Sequence, residues 1–214
     1  MSNFFDSDNG FMQGFTKVTD TLILSILWLV CCVPVVTVGA ASSALYYAFH
    51  KSIRQNRSYA WREFFAAFKS NFKRSTGIWL ILLVFMLMSL VACLLLGAMR
   101  DSTPMAGVCL VMGVVILCFT AVWCIYALAY QARFENTMGA VLKNSALLTF
   151  ANLPRSILLL ILFAAAVIAV IYMPVICGPV VAVFIWLENK ILERVFRKLM
   201  TEEDLMSELE LDRG

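Results

Sequence analysis

Four long stretches of the 214-residue chain contain no charged residue. They cover residues 21–49, 75–99, 102–132 and 156–187. The hydrocarbon core of a bilayer is about 30 Å thick, and a helix crosses it in about 20 residues. Each stretch is longer than that and is continuously apolar, unlike the alternating pattern of a transmembrane β-strand. The sequence therefore predicts an all-α protein, a polytopic transmembrane helical bundle.

The distribution of lysine and arginine predicts the topology. Apart from Lys17 and Arg100, these residues lie in the connectors 51–74 and 133–155 and in the segment after residue 187. The positive-inside rule places all three of these regions in the cytoplasm. The N-terminus is then outside and the C-terminus is cytoplasmic, which requires an odd number of spans. The acidic segment before residue 21 does not resemble a signal peptide.

Five spans are obtained if the last uncharged stretch contains two helices, separated near Pro174 and Pro179. The chain is then one transmembrane domain, residues 1–200, followed by an acidic cytoplasmic tail, residues 201–214. An alternative is a re-entrant first stretch with both termini inside. The predicted spans lie near residues 21–49, 75–99, 105–132, 156–173 and 179–196.

The first stretch is interrupted by Pro34 and Gly39, which predict a kink or break between residues 33 and 40. Backbone groups freed at such a break need partners in packed protein or in a wet cavity. Pro34, Thr37 and Gly39 are therefore candidate residues of a helix break that lines a solute path. The simpler interpretation, which we favour, is a kink that lets the helices pack closely.

Residues 59–74 predict an amphipathic helix on the cytoplasmic surface, because aromatic side chains recur there at helical spacing. It either lies in the lipid headgroup region or binds a partner protein. The surrounding connector is basic, but it lies between two spans, so anionic lipid is a better partner for it than nucleic acid. The candidate docking residues are Trp61, Phe64, Phe65, Phe68, Lys69, Phe72 and Lys73.

Four segments of the sequence resemble the YesL-like family of small bacterial membrane proteins, a domain of unknown function. The resemblance is carried by residues 4–11, the motif at 27–40, residues 44–47 and residues 64–73. It implies a multi-pass protein of the bacterial cytoplasmic membrane. Genes of this family often lie beside sugar-importing ABC systems and glycan-degrading enzymes. The family supplies no catalytic or ligand residue to transfer to this chain.

No hydrolase triad, phosphate-binding loop, pair of catalytic carboxylates or metal-ligand spacing occurs in the sequence, so we expect no enzyme and no cofactor. His50 is expected at the membrane interface, and Glu188 at a solvated helix end rather than paired with a neighbouring span. The first functional hypothesis is a non-catalytic accessory or regulatory component of a carbohydrate ABC uptake system, with importer subunits as partners. The alternative is a small independent transporter or channel for a neutral solute.

Overall fold

A computed structural model of the protein describes residues 10–54, 59–99, 104–134, 136–173 and 176–198. These residues are almost entirely helical and include no strand, which confirms the predicted all-α class. Short 3₁₀ and π-helical stretches, Val35–Thr37 and Phe49–Arg54, flank the second helix. The α-helices of the described residues are α1 (Gly10–Cys31), α2 (Val38–Ala48), α3 (Ala60–Ala98), α4 (Pro104–Arg133), α5 (Met138–Ala151), α6 (Leu153–Tyr172) and α7 (Cys177–Phe196).

The first uncharged stretch folds as a helical hairpin. The indole nitrogen of Trp28, near the end of α1, donates a hydrogen bond of 3.1 Å to the hydroxyl of Ser42, near the start of α2. The π-helical stretch Phe49–Arg54, at the far end of α2, also contacts α1. Helix α2 therefore turns back along α1, a geometry that favours the re-entrant alternative. The outside position of the N-terminus stays a prediction.

Helix α2 lies at the centre of the bundle, since eight of its 11 residues are buried. It packs most extensively against α3. The two helices come closest at Gly39, which has no side chain. A β-carbon at Gly39 would lie 2.2 Å from the β-carbon of Trp79 and 2.9 Å from the carbonyl oxygen of Ser75. Only glycine permits this approach, because a packed interior cannot absorb so short a contact.

Helix α3 is continuous over 39 residues. At 1.5 Å per residue it is about 58 Å long, roughly twice the thickness of the hydrocarbon core. No break therefore separates the predicted surface helix, residues 59–74, from the predicted second span, residues 75–99. The reason is that no proline interrupts the sequence between them. The division of α3 into a surface part and a membrane part stays a prediction.

Helices α3 and α4 pack side by side through small residues. The hydroxyl of Ser89 donates a hydrogen bond of 3.3 Å to the carbonyl oxygen of Gly113. A β-carbon at Gly113 would lie only 2.9 Å from the sulfur of Cys93. Close approach at small residues is the usual way in which transmembrane helices associate, because lipid offers no hydrophobic driving force between them.

The second basic connector is built differently from the first. Helix α5 packs along α4, where the Trp123 indole nitrogen donates to the hydroxyl of Ser145 at 3.0 Å. It ends at Ala151, and α6 begins at Leu153 with a proline in its first turn. The guanidinium of Arg155 donates to the side-chain oxygen of Asn152 at 2.9 Å, which stabilises the junction between α5 and α6.

Three helices are long and apolar enough to cross a membrane, among the residues that the structure describes. They are α3, α4 and α6, with windows of mean hydropathy 3.0, 2.8 and 2.5. Large apolar side chains such as Leu94, Val108 and Ile171 are exposed on them, as lipid-facing residues are. The count of five spans stays a prediction, and both Pro174 and the acidic tail lie outside the described residues.

Candidate functional site: two carboxylates on one helix

The π-helical stretch Phe49–Arg54 positions the last polar side chains of the hairpin. Tyr46 in α2 and His50 in the π-helical stretch are four residues apart, so they project from neighbouring turns toward the same side. Both are buried. Single π-helical turns occur often at functional sites, because they redirect side chains within an otherwise regular helix.

Glu193 of α7 is the carboxylate that these side chains face. The hydroxyl of Tyr46 donates a hydrogen bond of 3.1 Å to Glu193 Oε1. His50 Nδ1 lies 3.3 Å from the same oxygen, and the Nε atom of Arg133 lies 3.6 Å from it. Glu193 is only 1% exposed. This Glu193 cluster therefore links α7 to α2, to the π-helical stretch and to the end of α4.

Aromatic packing continues the same link. The ring of Phe196, one turn after Glu193, makes an edge contact with Tyr46 at a centroid distance of 6.4 Å. It makes similar contacts with Tyr130 and Phe134 of the α4 end, at 6.0 and 5.8 Å. Edge-to-face aromatic pairs stabilise a core beyond their buried area. The C-terminal end of α7 is thus fixed by charge, hydrogen bonding and packing together.

Glu188 lies five residues earlier on α7 and meets different surroundings. Five residues turn a helix by about 500°, so its side chain points about 140° away from that of Glu193. Glu188 is 9% exposed. It makes no hydrogen bond or ion pair with any residue that the structure describes. A buried carboxylate without a partner is energetically costly and needs an explanation.

The Glu188 side chain lines a cavity of about 660 Å³ between the α1–α2 hairpin, α3, α4, α6 and α7. Among the described residues that form its wall, Glu188 alone carries a carboxyl group. The remaining wall is mostly aliphatic, with four aromatic side chains and one hydroxyl. The aromatic and hydroxyl-bearing wall residues are Trp28, Trp79, Phe163, Phe184 and Ser42.

The polar atoms of this wall are mostly occupied within the protein. The indole N–H of Trp28 is directed to Ser42, and the indole N–H of Trp79 donates to the carbonyl oxygen of Val35 at 2.8 Å. Phe163 and Phe184 form an edge contact at 6.1 Å between α6 and α7. The cavity thus offers aromatic and aliphatic surface, the thiols of Cys32, Cys124 and Cys177, and a single carboxyl group.

The predicted break residues act mainly within the hairpin turn. The hydroxyl of Thr37 lies 2.6 Å from the carbonyl oxygen of Cys31 and 2.7 Å from that of Pro34, which also accepts the Thr37 backbone N–H at 3.0 Å. Gly39 provides the close approach to Trp79. These contacts favour the packing interpretation. Pro34, Thr37 and Gly39 are not in the cavity wall, which includes their neighbours Val33 and Val38.

The predicted docking residues divide into exposed and buried members. Phe64 is fully buried in the core, so it cannot contact a partner directly. The others are exposed or half-buried, because only one side of α3 faces α2 and the π-helical stretch. The exposed or half-buried members are Trp61, Phe65, Phe68, Lys69, Phe72 and Lys73.

An ion pair fixes the connector beside this surface. Lys51 Nζ donates to Glu63 Oε2 at 2.9 Å and lies 5.5 Å from the ring centre of Tyr47. The hydrogen bond to Glu63 raises the pKa of Lys51 above its ordinary value. The only acid of the 51–74 connector is therefore already paired, and the basic residues on α3 retain their excess charge.

Sequence reasoning missed the roles of Glu193, Glu188 and His50. The expected solvated Glu188 is wrong, since its side chain is buried. His50 is buried too, and its place at the membrane interface stays a prediction. A signal was present in α7, where the buried positions 185, 188, 189, 192, 193 and 196 recur at intervals of three and four residues. That pattern marks a helix face that packs inward, and it includes both carboxylates.

Residues 21–99 match a family described as "Protein of unknown function, DUF624". No curated protein and no solved structure matches the chain. The matched residues include most of the α1–α2 hairpin and all of α3, whereas Glu188 and Glu193 lie outside them. The YesL-like proteins belong to this family, so the match confirms the resemblance over residues 21–99, which are fewer than half of the 214 residues.

Proposed function

We propose that this membrane protein is a non-catalytic accessory or regulatory component of a carbohydrate uptake system of the ABC type. The observation that supports the proposal is an exposed aromatic and basic surface at the start of α3. Trp61 and Phe65 are 50% and 46% exposed there, although they are large apolar side chains. Exposed groups of large aromatic side chains are typical of interaction surfaces.

This docking surface, formed by Trp61, Phe65, Phe68, Lys69, Phe72 and Lys73, contains a shallow depression of about 700 Å³. All its residues lie on one rigid helix that continues into a predicted span. A partner with apolar side chains rimmed by acidic groups would complement it in shape and charge. The membrane or nucleotide-binding subunits of an importer are the partners that we propose.

A tagged protein, cross-linked in its native membrane and purified in mild detergent, tests this proposal. We expect importer subunits in stoichiometric amounts with the wild type. The double variant Lys69→Glu, Lys73→Glu should lose them, because it reverses the charge of the docking surface. Lys143→Glu is the matched control, since Lys143 is an exposed lysine on α5. Recovery of importer subunits with the double variant, or their absence from the wild-type sample, would refute the proposal.

A second candidate is an independent transporter or channel for a neutral solute, favoured by the cavity beside the broken first stretch. Flux of sugars and osmolytes into liposomes that contain only this protein tests it. Ala166→Leu narrows the cavity and should reduce flux, whereas Lys143→Glu should not. Absence of flux for the whole panel would exclude this candidate. The aliphatic wall offers few partners for sugar hydroxyls, which favours the first proposal.

A further inference from the structure

Glu188 is buried, has no partner among the residues that the structure describes, and has access to a cavity. A carboxylate removed from water loses several kcal/mol of solvation, and a hydrogen-bonded or charged partner offsets that loss. Glu193, on the same helix, shows how the protein satisfies such a group with three neighbours. Glu188 has no such neighbour among the described residues and faces the cavity instead. The cavity gives a partner from outside the chain access to Glu188.

The cavity has the dimensions and wall of a small-molecule site. Sites for drug-sized ligands occupy roughly 300–1,000 Å³ and are mostly apolar, with a few polar groups that orient the ligand. Here the cavity measures about 660 Å³, and the orienting group is Glu188. Trp28, Trp79 and Phe184 add aromatic surface, which attracts cations through the negative faces of the rings.

We propose that this cavity binds an organic monocation with an apolar body, an amine or a quaternary ammonium, whose charged end contacts Glu188. The carboxylate supplies the counter-charge, and the aromatic and aliphatic wall accepts the body of the ligand. An anion would be repelled by Glu188. A hard metal ion needs about six oxygen ligands, and the described wall offers one carboxylate. This site is separate from the docking surface and does not depend on the proposed importer role.

Two sources can supply this chemistry, a free organic cation or the amine headgroup of a lipid. The cavity wall includes α6, whose outer face carries exposed apolar residues such as Ile161 and Ile168. A lipid would reach Glu188 from the bilayer, whereas a free cation would arrive from water. Nanodiscs of purely anionic phosphatidylglycerol, compared with nanodiscs that also contain phosphatidylethanolamine, separate the two sources.

The test measures calorimetric binding of 4-phenylbutyltrimethylammonium to the protein in phosphatidylglycerol nanodiscs, with empty nanodiscs subtracted. The reference ligand is its neutral isostere, in which carbon replaces the quaternary nitrogen. We expect the wild type to bind the cation at least about tenfold more tightly than the isostere. Glu188→Gln should remove that preference and leave binding of the isostere unchanged. Ala166→Leu, which fills the cavity, should weaken binding of both ligands.

Glu63→Gln is the matched control, because it removes a carboxylate outside the cavity, and it should bind both ligands as the wild type does. Binding of the isostere by Glu188→Gln reports that the variant is folded. Competition by phosphatidylethanolamine, lost in Glu188→Gln, would identify the lipid headgroup as the source. No competition would identify a free cation. Equal affinity for cation and isostere, no binding of the cation, or an unchanged preference in Glu188→Gln would overturn the proposal.

Discussion

Glu188 and Glu193 lie five residues apart on α7, both are buried, and the protein treats them in opposite ways. Glu193 has a tyrosine, a histidine and an arginine around one oxygen. Glu188 has no partner among the described residues and lines the cavity. The difference arises from the rotation of the helix, which directs one side chain to the hairpin and the other to the open space beside α6. The two carboxyl groups of one helix therefore have contrasting environments, a set of protein partners for Glu193 and an open cavity for Glu188.

The largest effect is expected for Glu193→Ala. It leaves Arg133 and His50 without the carboxylate that they face, and breaking a buried ion pair costs about 3–5 kcal/mol. Thermal unfolding in detergent, followed by circular dichroism, measures the loss of stability. Glu63→Ala breaks the more exposed pair with Lys51 and should cost about 0–1 kcal/mol. Similar losses in the two variants would contradict a scaffold role for Glu193.

A smaller effect is expected for Gly39→Ala, which tests the position of α2 on which the Glu193 cluster depends. The added β-carbon would overlap with Trp79 and the backbone of Ser75, and overpacking costs about 1–3 kcal/mol. Gly97→Ala is the control, because a β-carbon there meets no atom within 4 Å. If Gly39→Ala kept the stability of the wild type, α2 and α3 would be farther apart than in the structure.

Tyr46→Phe should lower the free energy of unfolding by about 1.5 kcal/mol, because it removes one hydrogen bond to a charged group and leaves the ring in place. Chemical unfolding in urea with constant detergent measures it. Tyr130→Phe is a comparison variant, since the Tyr130 hydroxyl accepts hydrogen bonds from the amides of Asn136 and Asn144 instead. If Tyr46→Phe alone were neutral, the tyrosine would not support Glu193.

Glu188→Gln should have the smallest effect on stability. It neutralises a buried carboxylate that has no described partner, and removal of such a charge is neutral or stabilising. The midpoint of thermal unfolding without ligand is therefore expected to stay the same or to rise. A fall comparable to that of Glu193→Ala would show that Glu188 serves the scaffold as well, and the contrast between the two carboxylates would disappear.

The fold could be predicted from the sequence to the extent that it depends on composition and on backbone breakers. Uncharged stretches predict transmembrane helices, and Pro34 predicts the break that separates α1 from α2. The return of α2 along α1 was not predictable with certainty, because a kink and a hairpin share the same local sequence. It depends on distant contacts, including those of Gly39 with α3.

The candidate site was largely hidden from sequence reasoning. Glu188 and Glu193 lie at the polar end of an apolar stretch, where a solvated helix end is the ordinary expectation. The burial of Glu193 depends on His50 of the π-helical stretch and on Arg133 at the end of α4, two distant parts of the sequence. The docking surface was more accessible to prediction, since helical periodicity identifies it, but periodicity did not separate buried Phe64 from exposed Phe65.

The most direct test of this account compares Glu188→Gln with Glu193→Gln in two measurements on the same preparations. One is the midpoint of thermal unfolding, and the other is the preference for 4-phenylbutyltrimethylammonium over its neutral isostere. We expect a crossed result, in which Glu193→Gln loses stability but keeps the preference, while Glu188→Gln keeps stability but loses the preference. Loss of both properties in both variants, or an unchanged preference in Glu188→Gln, would contradict it.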